Sequence, residues 1–239
     1  MLAAIWWGGL AASSLLIGYL FASRRLSNRT IGIVMGFGAG SLISAICYEL
    51  VPESNLNGYG MAVAFLLGAL AFFAGDWMVD GRGGAERKDI AGSQKGGSGA
   101  AIFIGTLLDN VPESNILGMG FFLGGVVNVA FLAAVFVSNF PEGLAGSINL
   151  EAAGYSRARI LRLWVMLVIV SAACAGLGYA LVRLLPAADG HCARAFAAGA
   201  MLTMLVDAMM PEAFEHGRRL VGLITVLGFM VAASLSVMQ

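Results

Sequence analysis

The chain has 239 residues, of which 59% are apolar and only 12% charged, with a mean hydropathy of +0.85. A soluble domain carries about 25% charged residues, so charge is too scarce here to coat a water-facing surface, and an ordinary cytosolic enzyme is excluded. Fourteen basic against fourteen acidic residues leave no electrostatic footprint for nucleic acid, and Cys47, Cys174 and Cys192 lack the CxxC spacing of a metal or disulfide framework.

A helix crossing the hydrocarbon core needs about 20 mostly apolar residues. Eight segments meet this, at 3–22, 30–51, 58–79, 100–121, 124–147, 161–184, 193–213 and 219–238. The expectation is an all-α polytopic protein with eight transmembrane helices in a single transmembrane domain, 1–239. Its partner is the lipid bilayer, since segments apolar on nearly every face do not suit a soluble bundle.

Span 1 lacks the basic n-region of a secretory signal, and Arg24–Arg25 follow it where a small-residue cleavage site would stand, so it reads as a true span. Span 2 carries Gly32, Gly36 and Gly40 at small-xxx-small spacing, then Tyr48-Glu49-Leu50-Val51-Pro52-Glu53-Ser54. Span 3 holds Asp76 and ends at Asp80. The stretch 80–99 is rich in Gly and Ser with mixed charge and reads as a flexible cytoplasmic linker.

Span 4 contains Asp109-Asn110-Val111-Pro112-Glu113-Ser114, and span 5 contains Ser138-Asn139-Phe140-Pro141-Glu142-Gly143. Span 6 has no carboxylate, and span 7 ends in Asp207-Ala208-Met209-Met210-Pro211-Glu212-Ala213. The methionines of span 7 read as apolar filler, and His191 reads as a surface residue of an external loop.

Lys and Arg gather at the cytoplasmic ends of spans. Loops 1–2, 3–4, 5–6 and 7–8 hold twelve of them, while only Arg183 and Arg194 lie on the other side, in loop 6–7. Both termini are therefore expected outside.

An ionisable residue within a span costs on the order of 2.5–3.5 kcal/mol at the bilayer centre on insertion scales. Asp76, Asp109, Glu113, Glu142 and Asp207 lie within spans, with Glu49, Glu53, Asp80 and Glu212 at span ends and no Lys or Arg at comparable depth. Such carboxylates are protonated or bind a cation. Proline in a helix frees the carbonyl four residues back, so Leu108 and Val137 each offer backbone oxygen beside a polar run.

Asp109 and Glu113 share a helix face, bordered by Asn110, and Ser138, Asn139 and Glu142 repeat that geometry. A turn near Gly124–Gly125 sets both Pro-kinked motifs at one depth. Three carboxylates, two amides and a hydroxyl are then expected to converge on a metal cation. Glu49 and Glu53 form an acidic mouth outside, and Asp207 and Glu212 one towards the cytoplasm, with Asp76 on the pathway.

These features together resemble the ZIP (Zrt/Irt-like) family of divalent metal ion transporters, in a divergent, prokaryotic-type form. The resemblance runs over nearly the whole chain. Asn110, Pro112 and Glu113 match the family's His-Asn-x-Pro-Glu-Gly motif of span 4; Asn139, Pro141, Glu142 and Gly143 match that of span 5. It implies central spans 4 and 5, a plasma (inner) membrane location, alternating access by one helix bundle moving against another, and a homodimer. It also implies that Zn²⁺, Fe²⁺ or Mn²⁺ enters the cytoplasm as transported substrate, with no prosthetic group.

Where the family has histidine, this chain has Asp109 and Ser138. The donors that remain are all oxygen, which suits Mn²⁺ or Mg²⁺ better than Zn²⁺. A proton-coupled carrier of a small organic solute would use the same carboxylates, but lacks a basic residue to grip an anionic substrate. An intramembrane protease is the enzyme alternative, and the Phe-Ala-Gly-Asp ending at Asp76 lacks the first Gly of the aspartyl protease motif.

Overall fold

The computed structural model describes residues 1–24, 26–53, 59–84, 99–184 and 190–238, with side chains at all of these except 53, 83 and 84. Most of the expected 80–99 linker therefore lies outside the described residues, as does the Glu53 side chain.

Every regular element among the described residues is helical. In chain order they are α1 (Leu2–Ala22), α2 (Asn28–Ala45), a π turn (Ile46–Leu50) leading into α3 (Val51–Glu53), α4 (Tyr59–Val79) and a π turn (Asp80–Gly84). Then follow α5 (Gly99–Gly124), α6 (Val129–Ala152), α7 (Arg157–Leu184), α8 (His191–Met204), a π turn (Leu205–Met209), α9 (Met210–Gly217) and α10 (Leu220–Val237).

Seven of these rods, among the described residues, are long and apolar enough to cross a membrane, and the chain is a multi-pass membrane protein. The eighth expected span, α5, is long enough at 26 residues. Its hydropathy falls short because Asp109, Asn110, Glu113, Ser114 and Asn115 stand in its middle.

Local chemistry sets the helix ends. Ser27 caps α2 by accepting from the Thr30 N–H at 3.1 Å, and Asn128 caps α6 by accepting from the Phe131 N–H at 2.8 Å. The expected span 5 began at residue 124, but α6 starts at Val129. Gly125 has φ +71°, a left-handed turn that stops α5, and Asn128 then opens the next helix.

The helices form two groups. In one, α6 and α7 lie along α1, and α5 lies along α7; in the other, α10 and α9 lie along α2, and α8 lies along α4. The groups meet chiefly where α2 crosses α6.

Within each group the pairs are joined by reciprocal glycine contacts. A Cβ on Gly68 of α4 would overlap the Phe196 carbonyl of α8, and one on Gly199 of α8 would overlap the Phe65 carbonyl of α4. The same exchange joins α1 with α6 (Gly18 and Gly143), α2 with α10 (Gly40 and Gly228) and α5 with α7 (Gly118 and Gly178). In all four pairs the facing carbonyl lies three residues before the partner glycine. Backbones this close exchange Cα–H···O contacts and dispersion, the main forces joining helices in lipid.

Candidate metal site and a polar cavity

The four Pro-Glu units take two structural forms. Pro112 and Pro141 lie inside the continuous α-helices α5 and α6. Pro52 and Pro211 instead follow π turns, in which the Val51 N–H bonds to the Ile46 carbonyl and the Met210 N–H to the Leu205 carbonyl, five residues back. A π turn is a frequent companion of functional sites in helices.

In α5 and α6 all six sequence-predicted residues are buried. Asp109, Asn110, Glu113, Ser138, Asn139 and Glu142 are each at most 4% exposed. The Asn110 amide donates to the Thr106 carbonyl at 3.0 Å, and the Asn139 amide donates across to the Ala11 carbonyl of α1 at 3.4 Å. A carbonyl only accepts, so each contact fixes the NH₂ end of its amide and turns the Oδ1 the other way. Asn139 Oδ1 is buried with no hydrogen-bond partner among the described residues. Ser138 donates to the Val135 carbonyl at 3.0 Å, which leaves its oxygen as an acceptor. The chemistry offered here is carboxylate, amide and hydroxyl oxygen, the donor set of a hard or borderline cation.

The expected convergence of three carboxylates differs from the structure. Among the described residues no three His, Cys, Asp or Glu side chains come together closely enough to hold one metal ion. The cause is packing: α5 and α6 are sequence neighbours, but each lies closer along another helix, α5 along α7 through Gly118 and Gly178, α6 along α1 through Gly18 and Gly143.

The residues expected at the mouths are dispersed. Asp76 is buried in α4, Asp207 is exposed in the π turn between α8 and α9, and Glu212 is half-buried. Glu212 Oε1 lies 3.0 Å from His216 Nδ1, one helical turn on.

Glu49 belongs to a feature that sequence reading missed. A cavity of about 550 Å³ opens between the π turn Ile46–Leu50, the end of α5, the start of α6 and the start of α8. Its polar lining is Glu49, Asn128, His191 and Arg194. The Asn128 amide donates to Glu49 Oε2. Arg194 is buried, and His191, expected at the surface, is half-buried in this wall. The one signal in the sequence that could have marked it is Arg194, which with Arg183 stands apart from the other basic residues.

No family model matches the chain. It is 29% identical over 220 residues to a protein of Arabidopsis thaliana named "Putative zinc transporter", an alignment covering 87% of this chain and 34% of that protein. The chain thus spans about a third of the length of the relative it matches.

Proposed function

We propose that the chain is a ZIP-like transporter that carries a divalent metal cation, Zn²⁺, Fe²⁺ or Mn²⁺, into the cytoplasm by alternating access. The observation that carries this reading is the burial of six oxygen-bearing side chains on two Pro-Glu helices, with each asparagine amide donating to a backbone carbonyl. Buried oxygens arranged in this way attract a cation and repel an anion. The likeness to a plant protein named for zinc transport supports the same reading.

In this reading Asp109 and Glu113, on one face of α5, supply the carboxylates, with Asn110, Asn139 and Ser138 as neutral oxygens. Glu142 joins from α6 when the helices close on the ion. Asp76, Asp207, Glu212, Glu49 and Glu53 serve the pathway on either side. The chain works as a single domain, and as a homodimer, in the plasma (inner) membrane with both termini outside and the Lys- and Arg-rich loops in the cytoplasm.

A second reading is favoured by one observation. Arg194 lines the polar cavity beside His191 and provides the cationic grip that a proton-coupled carrier of an organic anion needs.

The two are separated by uptake into proteoliposomes containing a divalent-responsive dye, with Mn²⁺, Fe²⁺, Zn²⁺, Co²⁺ and Mg²⁺ offered in turn. Metal uptake by the wild type, lost in Glu113→Gln and Glu142→Gln variants that still fold, supports the first reading. Folded wild type that moves none of these ions rejects it, and organic-anion uptake lost in Arg194→Gln supports the second.

A further inference from the structure

A second groove, of about 400 Å³, lies between α4 and α5, one helix from each packing group. Its lining is apolar except for a single charged side chain, Arg82, and includes no carboxylate among the described residues. Arg82 stands in the π turn that ends span 3, and the walls are Gly75, Met78, Leu107, Leu108 and Pro112 with half-exposed Ile104 at the rim.

The dimensions fit an acyl chain. From Ile104 to Pro112 the groove follows eight residue steps of α5, roughly 12 Å at about 1.5 Å each. One leaflet of the hydrocarbon core is about 15 Å deep, half of the ~30 Å total. The stretch of α5 that lines the groove is therefore close to one leaflet in length, and the apolar walls have the chemistry of a lipid tail. At the Arg82 end the guanidinium spends one N–H on the Met78 carbonyl at 3.2 Å. A guanidinium has five N–H donors and matches phosphate oxygens well. Basic residues between helices at the membrane surface are a recurrent anchor for anionic headgroups.

We propose that this groove is a binding site for an anionic phospholipid, with one acyl chain between α4 and α5 and the headgroup phosphate on Arg82. The inner end of the chain rests on Leu108 and Pro112, against the turn of α5 that carries Asp109 and Glu113. The site stands on the membrane character of the chain and not on metal transport, and it is tested without metal.

The test uses the full chain purified in neutral detergent, with phosphatidylglycerol or phosphatidylcholine added. Lipid retention is read by native mass spectrometry and stability by the thermal unfolding midpoint, since a ligand of the native state raises it. The expected result is that phosphatidylglycerol is retained and raises the midpoint more than phosphatidylcholine does. Arg82→Gln removes that difference, Arg82→Lys keeps most of it, and Ile104→Trp, which fills the groove from its rim, lowers retention of both lipids. The proposal is overturned if the wild type treats the two lipids alike, or if Arg82→Gln keeps the preference. Arg82 is exposed at a helix end, so its variants report on binding without disturbing the core.

Discussion

The side-chain amide of Asn128 donates to the Glu49 carboxylate, tying the first turn of α6 to the π turn Ile46–Leu50 across the polar cavity. The same side chain caps α6 through its Oδ1. Asn128→Ala removes both roles and is expected to cost about 0.5–2 kcal/mol from the cap alone. Asn128→Ser keeps a capping oxygen but cannot reach Glu49, so its unfolding midpoint stays near that of the wild type. Comparison of the two by thermal unfolding and by uptake separates the cap from the link across the cavity. Uptake changed equally in both variants assigns the effect to the link.

The reciprocal glycines give a sharp contrast between positions. Gly199→Ala places a methyl group on the Phe65 carbonyl, and Gly68→Ala places one on that of Phe196. Either forces α4 and α8 apart and should cost about 1–3 kcal/mol, the usual range for overpacking. Gly60→Ala and Gly222→Ala meet nothing within 4 Å and should be neutral or stabilising by up to ~1 kcal/mol through helix propensity. Unfolding midpoints of the four variants in one detergent decide this; equal losses at all four would refute the packing account.

Trp164 is fully buried and donates its indole N–H to Ser147 Oγ at 2.9 Å, while Ser147 donates to the Gly143 carbonyl at 2.5 Å. Ser147→Ala strands the buried indole N–H and should destabilise by about 1–3 kcal/mol. In Trp164→Phe/Ser147→Ala that donor is gone, so the double variant should lose less than the sum of the two single variants. A thermodynamic cycle on the four proteins measures the coupling.

Asp109 stands where the family that the chain resembles has histidine, so the metal choice of the proposed transporter can be tested at one residue. Asp109→His supplies an imidazole nitrogen, which favours Zn²⁺ over harder ions. The Zn²⁺-to-Mn²⁺ uptake ratio is expected to rise roughly tenfold, a shift of about 1.4 kcal/mol in relative binding. Competition between the two ions in proteoliposomes reads the ratio directly, and an unchanged ratio removes Asp109 from the ion's ligands.

Much of the helical fold is legible in the sequence because each rod is a continuous apolar run, and α5 is also marked, by its polar centre. The burial of Asp109, Asn110, Glu113, Ser138, Asn139 and Glu142 follows from their place inside such runs. The division of the Pro-Glu units into π turns at Pro52 and Pro211 and plain α-helix at Pro112 and Pro141 is not legible. All four units have the same Pro-Glu spacing, and the helix selects its register from what packs around it. Nor do Glu49, Asn128, His191 and Arg194 announce one cavity, since three separate segments bring them together. α5 and α6 do touch, but the expected convergence of their carboxylates gives too little weight to their glycine faces, which press each helix most closely on a different neighbour.

Those glycine contacts also have a mechanical meaning. Where backbone lies on backbone there are no side-chain rotamers to yield, so a helix pair joined this way has almost no compliance. With one such lock in each of α1/α6, α5/α7, α2/α10 and α4/α8, the molecule behaves as stiff paired struts. Between the groups the approach is less tight: an added Cβ at Gly75 of α4 would meet only the Leu108 side chain of α5, and one at Gly38 of α2 would come no nearer than 3.0 Å to the Ser138 backbone of α6.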